Sequence, residues 1–195
     1  KGFADIVMMP GAELVESLGD SYHHVGMDET MVITRSNKRA NIYNNGIRNM
    51  VLDREEELSS GDMLMIVKNN YFWTEKEKKE SGEGRAGVVP AFLANGDRAK
   101  VLRVSNYIEL YGFRFATLLL QLPDYDDYEM QVTGMLDTLQ SEAPALTHEQ
   151  QEELFRQVEE DYQHFVPLKA DRMKSIRQDA YFNALQIKYA YAVTC

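Results

Sequence analysis

Two short stretches of this chain carry side chains of the kind that hold anions or planar rings. In ITRSNKRANIYNNGIR (33–48) a strand pattern gives way at Ser36 or Asn37 to a helical one, in which Ala40, Tyr43, Ile47 and Met50 recur at spacings of three and four. A helix starting there exposes unpaired N–H groups and the positive end of its dipole, which is a phosphate-binding geometry. Arg35 or Lys38 would add a charged hydrogen bond to such an anion, and Arg48 falls at the far end of the helix. On spacing alone, Ser36 or Asn37 reads first as an ordinary N-cap and the basic residues as a solvated face.

The second stretch is GDMLMIVKNNYFW (61–73). Lys68, Asn69 and Asn70 followed by Tyr71, Phe72 and Trp73 combine charge, amide hydrogen bonding and stacking surface, the ingredients of single-strand binding. Tyr111, Phe113, Arg114 and Phe115 offer a similar face. Against this, aromatics in a small barrel usually form its core, and two asparagines can simply make a turn.

Other chemistries lack their residues. His23 and His24 are adjacent and so cannot share a face, while His148 and His164 sit in an acidic helical segment. No serine or cysteine nucleophile stands in a recognisable turn. Asp126-Asp127 and Glu159-Glu160 read as solvated acids before they read as a divalent-ion site, so no metal ligands are assigned. The GxxxxGK[ST] phosphate loop is absent from the sequence. The chain alone is therefore expected not to hydrolyse ATP by that machinery.

The elements that must position these groups follow from periodicity. A short strand is expected over 5–9, a helix from Pro10 to about Leu18, a strand over 30–34 and a helix over 37–50, together part of an α/β layer. From about residue 59 the pattern changes to short strands and turns. The dense apolar run 63–67, runs at 91–94 and 98–104 flanking Asn95-Gly96-Asp97, and one long alternating strand over 107–122 predict a small antiparallel barrel or curled sheet. Within it, 74–87 (TEKEKKESGEGRAG) is almost wholly polar and reads as a solvated, mobile insertion. Thr147 and Gln150 have capping-box spacing ahead of an apolar stripe of Leu154, Phe155, Val158, Tyr162 and Phe165. A further helix is expected over 171–185, and KYAYAVTC closes the chain as a strand rejoining the α/β layer.

The formal net charge is −10, which at first argues against a polyanionic partner. Yet 124–161 holds 12 acids and one base, Arg156, so the rest of the chain sums to +1 and has room for basic patches. Apolar runs fall far short of the roughly 20 residues of a spanning helix, so no membrane partner is expected. The sequence opens at Lys1 with no secretory leader pattern, and its one cysteine, Cys195, allows no internal disulfide. A cytoplasmic location is the expectation.

Taken jointly, the segments resemble the second motor domain of superfamily 1 DNA helicases of the RecD type, including the exodeoxyribonuclease V alpha subunits. TRSNKRANIYNNGIR is similar to the motif IV region; LSSGDMLMIVKNNYFW and FLANGDRAKVLRV are similar to the paired GD and NGD segments of an inserted SH3-like subdomain; IKYAYAVTC is similar to the strand that precedes motif V. The resemblance implies an α/β fold comprising a partial RecA-like domain with an inserted SH3-like small β-barrel and an acidic helical segment. Its parts would be 1–58 for the first portion of the RecA-like domain, 59–132 for the barrel, 133–185 for the acidic helical insertion and 186–195 for the returning strand. The chain would then end one residue before the motif V loop, as a C-terminal fragment of a longer protein.

In such helicases two RecA-like domains clamp ATP and Mg²⁺, and cleft motion moves single-stranded DNA. By resemblance, Arg35 is the residue that contacts the transferred phosphate, Asn37 and Lys38 face the nucleotide, and Lys68, Asn69, Asn70, Tyr71 and Thr194 contact DNA. The implied partners are single-stranded DNA, the missing N-terminal motor domain, and other subunits of a repair complex. The acidic segment is longer than the resemblance accounts for; a partner-binding face, a brake in the DNA channel and a spacer all fit it. The competing reading is a non-enzymatic protein-interaction module built on the barrel and the acidic helix.

Overall fold

The computed structural model describes residues 5–81 and 89–194, which form two compact units, one of 1–57 with 191–195 and the other of 58–190. The protein is a mixed α/β chain, and its second unit contains a closed β-barrel. Among the described residues no helix is long and apolar enough to cross a membrane.

The first unit holds α1 (Leu14–His24), β1 (Val32–Thr34), α2 (Asn37–Gly46) and, from the other end of the sequence, the last strand (Ala192–Thr194), which pairs in parallel with β1. Residues 5–9, expected as a strand, form none: Ile6, Val7 and Met8 are exposed and have no ladder partner. A 3₁₀ turn, Gly11–Glu13, leads into α1, which runs beyond Leu18 to His24. The helix expected over 37–50 changes character at Ile47, where a π-turn (Ile47–Val51) takes over. That extra winding buries Arg48, 3% exposed, with its Nη2 donating to the Glu56 carbonyl at 2.6 Å. The arginine at the far end of the helix is thus a buried brace.

In the second unit, β2 (Met63–Ile66), β3 (Arg98–Leu110), β4 (Phe113–Leu122), β5 (Tyr128–Met135) and β6 (Leu185–Tyr189) close the barrel. Neighbouring strands are antiparallel except β5 and β6, which meet in parallel at Gly134↔Leu185 and Met135↔Gln186. At Gly134 the strands approach closely: a Cβ would lie 2.5 Å from Leu118 Cδ1, so any larger residue there requires the Leu118 side chain to shift. Along β4 the even positions Ala116, Leu118, Leu120 and Leu122 are buried on one face. Phe113 and Phe115 lie on the other, covered by Leu154 and Val158 of α4 (His148–Gln163) and Ile176 of α5 (Lys169–Arg177). Each such fully buried apolar side chain contributes about 1.5–3 kcal/mol.

Several expectations are corrected here. The long strand over 107–122 is a hairpin, because Tyr111 (φ 56°) and Gly112 (φ 74°) both take the left-handed conformation of a two-residue turn joining β3 to β4. Tyrosine is an unusual occupant, and its hydroxyl is held by Asp161 Oδ2 at 3.0 Å. The run at 91–94 makes only an isolated bridge, Asn70↔Leu93, because the Ala94–Asp97 turn delivers β3 to β2 instead. The polar stretch beginning at 74 is helical through Ser81 in α3 (Phe72–Ser81); the remainder of that expected insertion, 82–87, lies outside the described residues. The helix expected over 171–185 is α5 alone, ending at Arg177 before a turn and β6.

The acidic helices expected as a separate 133–185 insertion share one compact unit with the barrel, since their apolar stripe is its outer covering. The closing strand expected over 186–195 is two strands. Ala190 N–H still donates to Met63 in the barrel, whereas the Tyr191 carbonyl already accepts from Val32 in the first unit, so the bend at 190–191 separates β6 from β7 (Ala192–Thr194).

Candidate functional site

Where β2 runs out, the chain passes along a cavity of about 430 Å³ on the barrel unit, and Lys68, Asn69, Asn70 and Tyr71 all line it. Val67 N–H still pairs with the Gln186 carbonyl at 3.0 Å, and beyond it the backbone leaves the ladder, so Lys68 and Asn69 are exposed. Asn70 fixes the path. Its main chain bridges Leu93 in both directions, its Nδ2 donates to the Asn183 carbonyl at 3.0 Å, and its Oδ1 accepts from Trp73 N–H at 3.3 Å at the start of α3. Asn69 Oδ1 accepts from Asn95 N–H at 2.8 Å and so ties this loop to the Ala94–Asp97 turn.

The two asparagines make no turn between them: Asn70 is bridged to Leu93, and the side chains of both tie down the loop that carries Lys68 and Tyr71 to the cavity edge. Tyr71 remains half exposed and stacks on Phe92, centroids 4.8 Å apart and planes at 23°. The other aromatic group singled out in the sequence is differently employed: Phe113 and Phe115 are buried beneath the helices, and Arg114 pairs with Asp137 at 3.6 Å.

Three polar side chains that sequence reasoning does not single out add to the wall. Gln151 of α4 accepts from Lys68 Nζ at 2.9 Å. Gln186 of β6 accepts from Leu146 N–H at 2.9 Å through its Oε1 and points its Nε2 at Gln151 Oε1, 3.5 Å away. Asn183 closes the turn before β6, its Nδ2 donating to the carbonyls of Arg177 and Asp179. A signal for Gln151 existed. The capping box of Thr147 and Gln150, complete in both directions, sets the register of α4, and Gln151 then precedes Leu154, Phe155 and Val158 by three, four and seven. It is a polar residue on the apolar stripe.

The first unit gathers the other named residues. Ser36 Oγ caps α2 by accepting from Arg39 N–H at 3.3 Å, so Ser36 is the N-cap and Asn37 the first helical residue. Arg35 and Lys38 are exposed on either side of that cap. Thr194 donates to Asn37 Oδ1 at 3.2 Å and pairs with Thr34 in the ladder. Thr194 thus belongs with Asn37, whereas Lys68, Asn69, Asn70 and Tyr71 form their own group in the barrel unit.

Beside Gln186 on the barrel, Lys188 is buried and donates to the carbonyls of Thr138 and Ser141. Burial pushes its pKa below the ordinary lysine value of 10.5. A group whose folded pKa is depressed favours folding most at high pH: between the folded pKa and 10.5 the unfolded chain binds the proton that the folded chain releases. Wild-type stability relative to Lys188→Met is therefore expected to rise from neutral pH towards 10.5. Urea midpoints of the two proteins at pH 7 and pH 10 check this, and the difference between them cancels the titration of the tyrosines common to both.

The arrangement offers an ammonium group, primary amides of fixed orientation and aromatic faces around one cavity. Such a set can hold phosphates through the ammonium group and planar heterocycles through the amides and rings. Among the described residues no group of three His, Cys, Asp or Glu is placed to hold a metal ion. No protein-family model and no curated protein matches the chain.

Proposed function

We propose that the chain contributes the second motor domain of an ATP-dependent, RecD-type DNA helicase or exodeoxyribonuclease subunit. In this reading the first unit is a partial RecA-like domain and the barrel an inserted SH3-like subdomain. The single observation that carries it is the cavity lined by Lys68, Asn69, Asn70 and Tyr71, where charge, amides and stacking surface converge. The parallel pairing of β1 with β7 across the whole of 58–190 adds support, since an inserted barrel is what the resemblance implies.

Single-stranded DNA would lie along the cavity, its backbone near Lys68 and a base against Tyr71. In the first unit, the cap of α2 with exposed Arg35 and Lys38 suits phosphates, and Asn37 is held in place by Thr194. ATP with Mg²⁺ supplies the free energy of translocation, and its phosphate loop would come from a first motor domain. Arg35 would stabilise charge on the transferred phosphoryl group, so Arg35→Ala would slow turnover and leave DNA affinity unchanged.

The interaction-module reading has less to stand on. The apolar stripe of α4 is buried against Phe113, Phe115 and Met135, which leaves Phe165 and Leu168 as the exposed apolar side chains of that segment. Equilibrium binding of a labelled single-stranded oligonucleotide across a salt series separates the two. Counterion release predicts affinity falling steeply with salt, and Lys68→Ala is expected to reduce the log–log slope by about 0.7–1. Absence of binding at the lowest salt would favour the module.

A further inference from the structure

Resting on that reading, we propose that the cavity seats one unstacked base of the strand and that Gln151 and Asn183 read its edge, which makes the acidic helix α4 part of the DNA site. At about 430 Å³ the cavity lies at the small end of ligand pockets, roughly 300–1,000 Å³, and suits one base better than a stacked run. Its walls include the aromatic side chains of Tyr71, Phe72 and Phe182. Phe182 is steadied edge-on against Phe155 of α4, centroids 6.0 Å apart.

The amide orientations follow from chemistry. An ammonium group only donates, so the oxygen of Gln151 must meet Lys68 Nζ, and its NH₂ is left uncommitted among the described contacts. Two backbone carbonyls only accept, so the NH₂ of Asn183 must meet Arg177 and Asp179, and its oxygen is left uncommitted. Gln151, with a spare donor, and Asn183, with a spare acceptor, both line this cavity. Every base carries a donor beside an acceptor on its pairing edge, and carboxamides bind such pairs when the base is splayed out of its stack. Lys68, with Gln151 taking one of its three protons, keeps two for the backbone phosphate.

This assigns the acidic segment a role that its charge conceals. The acids of α4 repel a phosphate backbone, while Gln151, on the stripe facing the barrel, contributes a neutral donor where a base enters.

Fluorescence anisotropy with a short labelled oligothymidylate and an abasic strand of the same length tests the proposal. The abasic strand keeps the phosphates and is expected to bind about tenfold more weakly. Gln151→Met is expected to remove most of that preference by weakening the thymidine strand alone, whereas Lys68→Ala weakens both strands in equal proportion. The ratio of the two affinities does not depend on the folded fraction, so partial unfolding of a variant cannot mimic the result. Equal affinity of wild type for both strands, or a Gln151→Met effect identical on both, would overturn the base pocket and leave strand binding intact. Failure of both strands to bind would remove strand binding and the pocket with it.

Discussion

Trp73→Ala is expected to lower the stability of the barrel unit by about 3–5 kcal/mol, the range for deleting a large buried aromatic. Trp73 is 4% exposed, lies edge-on to Phe72 with centroids 5.0 Å apart, and donates from Nε1 to the Asn183 carbonyl at 3.0 Å. Its loss leaves a cavity beneath the start of α3 and removes one of the two donors that hold the turn before β6. Trp73→Phe retains most of the apolar area, and the Asn183 carbonyl keeps its bond from Asn70, so a cost nearer 1–2 kcal/mol is expected. Urea unfolding followed by far-UV circular dichroism measures both. A loss below about 1 kcal/mol for the alanine variant would contradict the packing described.

Asn44→Leu is expected to cost the first unit about 2–6 kcal/mol. The buried Asn44 side chain acts as a surrogate neighbouring strand for β7: its Nδ2 donates to the Ala192 carbonyl at 2.9 Å and its Oδ1 accepts from Ala192 N–H at 2.7 Å. Ala192 is itself buried, so leucine would strand both main-chain groups without water, at about 1–3 kcal/mol each. Hydrogen exchange gives the local readout. The Ala192 amide is expected to exchange far faster in the variant, while barrel amides such as Leu118 and Leu120 keep their protection.

Much of the architecture was legible in the sequence because it is local. The strand-to-helix step at Ser36 follows from period and cap, and the capping box at Thr147 with Leu154, Phe155, Val158 and Tyr162 behind it places α4, whereas Phe165, expected on the same stripe, lies beyond the helix and is exposed. The hairpin at Tyr111-Gly112 stayed hidden because its turn lacks the usual Asn-Gly or Asp-Gly pair, and alternation runs straight through it. The division of KYAYAVTC into β6 and β7 had no local signal either: residues 184–192 are buried on both faces, so no change of pattern marks the bend.

The same distinction governs the candidate site. Lys68, Asn69, Asn70 and Tyr71 are consecutive and were found by type alone, whereas Gln151, Asn183 and Gln186 join them only through the covering of the barrel by α4 and the closure of β6. The resemblance groups Thr194 with the DNA-contacting residues, and its hydrogen bond to Asn37 follows from the parallel pairing of β1 with β7. Long-range partners of this kind leave no period or spacing to read.

Titration of single-stranded oligonucleotide into the ¹⁵N-labelled chain, followed by amide and side-chain NH₂ resonances, shows where on the chain a strand lies. Salt-sensitive shifts are expected at Lys68, Asn69, Asn70 and Tyr71, together with the side-chain amides of Gln151 and Asn183. Shifts confined to other surfaces, or no shifts at low salt, would contradict that placement.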